Sequence, residues 1–362
     1  MIDYDIAVAG AGPAGSVFAL LAARAGYRVL LAERSRFEKP RFGEMASPDL
    51  RAILTRIGLD HLSRAPYCND APELLSVWGT DQPMSRNHIV SPYGAALHLD
   101  RRAFDEALAL AAHDAGAHLS LGCAVRFIPR SNGSHLVQLH NGKCVHANIA
   151  ILATGRTGGH LGLPYARRYL DDHVGVAAHF FSFGETFDPR TQVEAISGGW
   201  FYLAALPSHT VVVIFVTSAR LVPSARSARL RWWLEALART NLIRATLRGC
   251  SIPRAVSVID ARASYASAGG GENWLAIGDA RIAPDPLAGQ GTHWAIDDAN
   301  TVIELLKHSG WREVVNQMQA TTEREVERYQ VDRLRAYSRE RRFGLDAFWK
   351  MVQSGDNHHQ AI

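Results

Sequence analysis

Three glycines near the start of the chain could hold a phosphate group. They stand in the run Gly10-Ala11-Gly12-Pro13-Ala14-Gly15, after the apolar Ile6 to Ala9 and before the Ala- and Leu-rich stretch Ser16 to Ala25. Gly10 permits a sharp turn, Gly12 lets the backbone approach a pyrophosphate, and Gly15 allows close packing of helix on strand. A helix starting at Pro13 and Ala14 adds partial positive charge. Glu33 follows the next apolar run, where its carboxylate can accept hydrogen bonds from ribose hydroxyls and would repel a 2′-phosphate. A second cluster lies far downstream: Gly278-Asp279 after the apolar Trp274 to Ile277, then Pro284-Asp285-Pro286-Leu287, then Gly289-Gln290-Gly291. A nicotinamide dinucleotide has no need of so distant a partner, whereas an FAD stretched across a domain does. Asp279 can hydrogen-bond ribityl hydroxyls, and successive N–H groups at a helix start can hold negative charge on a reduced flavin.

These residues need elements to place them. The first 35 residues read as strand, tight turn, helix and strand, a βαβ unit. Helices are expected over 49–64, 101–115 and 229–239, and a mostly helical tail from Trp294. A hairpin at Gly142 should precede a short buried strand, Ile149 to Ala153. From Gly175 to Thr217 the chain turns aromatic and β-branched, which predicts an antiparallel sheet. The fold class expected is mixed α/β. A discontinuous Rossmann-like FAD-binding domain would span 1–65, 96–160 and 264–310; an antiparallel-sheet substrate domain, 66–95 and 161–263; and C-terminal helices, 311–362. Residues past Ser354 read as a frayed end.

The two glycine clusters, together with Arg41-Phe42-Gly43-Glu44, Asp100-Arg101 before Phe104-Asp105, and Ala153-Thr154-Gly155-Arg156, resemble the flavoprotein monooxygenase superfamily. That superfamily includes 4-hydroxybenzoate hydroxylase, geranylgeranyl reductases and tryptophan halogenases. The resemblance implies that Arg101 contacts the FAD, that Asp279 binds its ribityl chain, that Pro286, Gly289, Gln290 and Gly291 line its ring system, and that Arg34, Arg41 and Gly278 belong with the cofactor residues. Halogenases need a lysine amine and carry a Trp-x-Trp-x-Ile-Pro motif. Here Trp200-Phe201-Tyr202-Leu203 stands in that region and no lysine occurs between Lys39 and Lys143. Arginine is no substitute, because its guanidinium stays charged and is not nucleophilic. Through Ser76-Val77-Trp78-Gly79, Ser91-Pro92-Tyr93-Gly94 and Gly198-Gly199-Trp200 the chain also resembles the flavoproteins that mature quinone-cofactor amino-acid oxidases, the LodB and GoxB type. That resemblance implies oxygenation of a tryptophan side chain in an oxidase precursor on the way to cysteine tryptophylquinone, with an external electron donor. Trp78, Tyr93, Trp200 and Tyr202 would form a dry aromatic wall, and Glu44, His98, His179 and Glu194 are candidates for a general base.

Composition narrows the classes further. The chain has 362 residues, is 47% hydrophobic and 20% charged, and carries a net charge of +4 with its signs interspersed. That is enough for a substantial core and gives no basic surface demanding nucleic acid. Four cysteines without a CxxC pair argue against a dithiol or zinc site, so no metal is expected. No apolar run reaches the length of a membrane span, and Asp3 and Asp5 stand where a secretory signal would be basic, which predicts a cytoplasmic protein. Open alternatives are an FAD oxidoreductase for a small aromatic or isoprenoid substrate and a non-catalytic maturation partner.

Overall fold

The computed structural model describes residues 3–88, 90–181, 187–207 and 209–354; the histidine-bearing tail lies outside them. Strand Tyr4–Ala9, helix Pro13–Arg24 and strand Val29–Glu33 form the βαβ unit, with the two strands parallel in the register Ile6 to Val29. Strand Cys144–Leu152 lies parallel on the other side of the first strand and is followed in the sheet by Trp274–Ala276. Both faces of this sheet are covered, so its central strands are continuous apolar runs. Helix Pro13–Arg24 is wedged between helices Arg101–Asp114 and Gly291–His308, which is why nearly its whole circumference is buried.

A seven-stranded sheet runs in the order Ser257–Asp260, His173–Phe181, Thr210–Ser218, Gly199–Leu206, Thr191–Ile196, Glu73–Val77, Met84–Asn87. Its strands pair antiparallel except where Thr191–Ile196 runs parallel to Glu73–Val77. Side chains alternate across it. Phe201, Val213 and Phe215 point to one face, against helix Arg226–Leu237, where the Trp233 indole donates to the Val176 carbonyl at 2.8 Å. Trp200, Ile214 and Val216 point to the other, towards the long helix Trp311–Tyr337 and helix Ala347–Gln353.

Several expectations shift in detail. The hairpin strand and the short buried strand are one nine-residue strand, Cys144–Leu152. The helix expected over 49–64 ends at Arg56, because Gly58 takes a positive φ of 74° and a 3₁₀ turn, Asp60–Arg64, follows. A strand not read from the sequence, Cys68–Ala71, pairs with Ala96–Leu99 in a small three-stranded sheet. Among the described residues no helix is long and apolar enough to cross a membrane.

Candidate functional site

A cleft of about 1730 Å³ separates the βαβ sheet from the seven-stranded sheet. It is larger than the roughly 300–1,000 Å³ that holds one small ligand, so an extended dinucleotide and a further reactant fit together. At one end lie Gly10, Gly12, Pro13, Ala14, Glu33, Arg34 and Arg41, and further along lie Arg101, Asp279, Pro286, Gly289, Gln290 and Gly291.

The backbone at the dinucleotide end is shaped for an anion. Gly10 has φ +104°, and a Cβ there would sit 2.3 Å from the Ala153 carbonyl oxygen. Gly15 is outside the cleft, where a Cβ would sit 1.9 Å from the Gly10 oxygen, so it permits the helix to close on the turn. Gly12 faces open space: nothing lies within 4 Å of where its Cβ would be. It also caps helix Pro13–Arg24, which has no side-chain cap and no acid in its first turn. Helix Gly291–His308 starts in the same way, capped by Gln290 without a side-chain hydrogen bond. Two positive helix ends therefore open into one cleft, with free N–H groups for negative charge.

The carboxylates are held to match. Glu33 accepts from the Ala11 N–H at 2.8 Å and from the Ser35 N–H and hydroxyl at 2.9 and 2.7 Å. Of about four acceptor positions on a carboxylate, one is left for a ribose hydroxyl. Arg41 lies 3.3 Å from Glu33 and 3.0 Å from Asp105. Arg101 shares Asp105 at 3.0 Å and donates to the carbonyls of Phe42 and Gly43 at 3.2 and 3.1 Å, which fixes the Arg41–Glu44 loop against the cleft. Asp279 lies 3.6 Å from Arg156, whose guanidinium also donates to the carbonyls of Arg262 and Pro284. Gly278 sits behind Asp279, where a Cβ would meet that of Ala14 at 2.6 Å. The open face at Gly12, the uncapped helix starts and the free acceptor on Glu33 fit an FAD.

The far end is aromatic. Trp78, Trp200 and Tyr202 line it, with the Trp78 and Trp200 rings edge to face at 6.2 Å. Tyr93 is exposed and outside it. Glu44 lines the cleft near Tyr202, only 2% exposed, and accepts from the Gly43 N–H at 3.1 Å. Burial lifts its carboxyl to about 7, a rise that the Gly43 N–H and the Arg101 charge only partly offset. The Tyr202 hydroxyl is buried near Glu44 without a well-formed hydrogen bond, and burial raises its pKa.

The other three candidate bases sit elsewhere. His98 is fully buried outside the cleft, with its ring nitrogens 3.1 Å from the Ala205 carbonyl and 2.8 Å from the Thr191 hydroxyl; burial holds it neutral, at about 4. Glu194 points to the opposite face of the sheet and accepts from the N–H groups of Asn241 and Ile243 at 2.7 and 3.1 Å, at the start of helix Leu242–Thr246. His179 also lies off the cleft, against Phe42.

Sequence reasoning missed what stands behind Trp200. Its indole donates to the Tyr337 hydroxyl at 3.1 Å, and that hydroxyl donates to Asp285 at 2.7 Å. Asp285 is 3.2 Å from His173, and Arg333 is 2.9 Å from Asp171. Burial works against the Asp285 charge, but His173, Arg333 and Tyr337 overcome it and hold the carboxyl at about 2. Its other oxygen accepts from the Leu287 N–H, so one carboxylate braces both Trp200 and the Pro286–Ala288 turn. The Asp between two prolines was visible; its partners on strand His173–Phe181 and helix Trp311–Tyr337 were not.

Residues 67–361 match the family described as tryptophan halogenase. LodB of Marinomonas mediterranea, assigned as an FAD-dependent oxidoreductase, is 28% identical over 97% of both chains. A menaquinone reductase of Mycobacterium tuberculosis is 28% identical over 83% of this chain and 76% of its own. Among solved structures, the myxobacterial chondrochloren halogenase CndH aligns with a TM-score of 0.84 at 20% identity, over 97% of this chain and 86% of its own. The peptidyl tryptophan dihydroxylase QhpG aligns at 0.78 and 24% identity, over 99% and 80%. The protein is an FAD-dependent oxidoreductase, and the chain belongs to the tryptophan halogenase family.

Proposed function

We propose that this flavoprotein is a monooxygenase that oxygenates a tryptophan side chain of a precursor amino-acid oxidase during formation of its cysteine tryptophylquinone cofactor. The observation that carries the reading is the far end of the cleft, lined by Trp78, Trp200 and Tyr202, with a buried Glu44 near Tyr202 whose carboxyl burial lifts to about 7, and with no amine among them. The cleft's lysine, Lys39, sits exposed on the loop after Glu33, at the dinucleotide end. Likeness to LodB and to QhpG supports the same substrate class.

FAD bound along the cleft supplies, when reduced, the electrons that activate dioxygen. Gly12, Glu33, Arg101, Asp279 and the 286–291 segment are the residues that hold and orient it. Trp78 and Tyr202, backed by the buried Trp200, exclude water and give an indole a ring face to pack against. Glu44, ionised in about half of the molecules at a pH near 7, takes the proton that the indole carbon must lose once oxygen is attached. An external reductant completes the electron balance.

A second reading follows from the menaquinone reductase relative: reduction of an isoprenoid chain, for which the apolar wall would be a lipid slot. Product analysis in excess bromide tests the first reading. The tryptophan substrate gains oxygen and no bromine if it is right; bromination, or no change while an isoprenoid is reduced, would reject it.

A further inference from the structure

The strand Met84–Asn87 ends the seven-stranded sheet and is exposed along its whole length. Its register places Met84 opposite Ser76 and Arg86 opposite Leu74, and all four line the cleft. The wall that carries Trp200 and Tyr202 thus continues outwards, across Thr191 and Val193, to an open sheet edge. The ladder alternates: His88 donates its N–H inwards to the Pro72 carbonyl, so the Ser85 N–H, three residues earlier, points out of the sheet. Exposed apolar groups lie at this edge, Met84 at 59% and Val90 at 88%. Arg86 and Arg339 are exposed on the cleft's rim and have no carboxylate partner among the described residues.

We infer that this edge receives an extended, acidic segment of a protein substrate as an added strand. Strand addition supplies affinity through the main chain and leaves alternate side chains to be read by pockets. Arg86 and Arg339 select carboxylates on the incoming segment, and its tryptophan passes along the wall towards Trp78 and Trp200. The inference rests on the reading of a polypeptide substrate. It adds where and how that polypeptide is held.

The test is fluorescence anisotropy of FAD-loaded protein with a short labelled peptide in which one tryptophan is flanked by alternating glutamate and threonine. Binding at low salt is expected. Arg86→Glu and Arg339→Glu should each weaken it about fivefold, the scale of an exposed ion pair. Ser85→Pro removes an outward N–H without breaking the inward ladder, and proline is tolerated on such an edge; it should weaken binding roughly three- to tenfold with flavin content unchanged. The same peptide with lysine in place of glutamate should not bind. Failure of the acidic peptide to bind, or equal binding by wild type and Ser85→Pro, would overturn the inference. Tight binding lost in Ser85→Pro, but without oxygen transfer, supports the docking edge and counts only against the oxygenase reading. Oxygen transfer undiminished in Ser85→Pro overturns the docking edge alone.

Discussion

At the scale of single residues, Glu44 and Tyr337 give the sharpest expectations. A carboxyl raised by burial from 4.5 to about 7 favours its protonated form in the folded chain. Stability therefore falls as pH rises from 4.5 through about 7, the reverse of a paired carboxylate. Glu44→Gln should raise stability above pH 7 by up to about 3 kcal/mol, read by urea unfolding at several pH values. The same variant should lose the rise of turnover around pH 7 and fall roughly a hundredfold or more in rate. A wild-type rate that is flat across that range would remove Glu44 as the base. Tyr337→Phe leaves the Trp200 indole without its acceptor and takes one hydrogen bond from the Asp285 oxygen that His173 still meets, and should cost about 1–3 kcal/mol in chemical denaturation while flavin stays bound. His98 and Glu194 show why residue type and position alone mislead: both are chemically able bases, yet the chain's own backbone and hydroxyl groups have taken up their hydrogen bonds.

At the scale of elements, what was legible depended on sequence distance. The βαβ unit and its glycines are contiguous, so turn, helix start and acid can be read together from one segment. The same holds for Gly278 to Gly291, where Asp279 and an uncapped helix start lie in one short segment. Pairings made across the fold were invisible: the Trp200 to Tyr337 hydrogen bond and the placing of Glu194 on the face away from the cleft follow from strand register. Gly12→Val should abolish flavin absorption, because its side chain would enter the open face at the helix N-terminus; a yellow variant would show that the cofactor lies elsewhere. Glu194→Ala leaves two N–H groups of the 242–246 helix start without an acceptor. It should cost about 1–3 kcal/mol and leave the pH profile of turnover intact; a shifted profile would return Glu194 to the chemistry.

At the scale of the whole molecule, two sheets with different jobs face each other across one cleft. The βαβ sheet presents helix starts and loops that fit a dinucleotide, and the seven-stranded sheet turns one face to the cleft while the other packs on helix Arg226–Leu237. Of the 39 basic residues only four are lysines, and none of these stands among Trp78, Trp200, Tyr202 and Glu44. A halogenase-like scaffold without an amine at its aromatic end is suited to pass on oxygen. The central claim is that a protein-bound tryptophan is the acceptor. Mass spectrometry of an amino-acid oxidase precursor, co-expressed with the wild-type chain, with Gly12→Val or with neither, tests it most directly. The account predicts one or two added oxygen atoms on a tryptophan-bearing peptide only with the wild type; a precursor whose tryptophans stay unmodified beside the flavin-loaded wild type would contradict it.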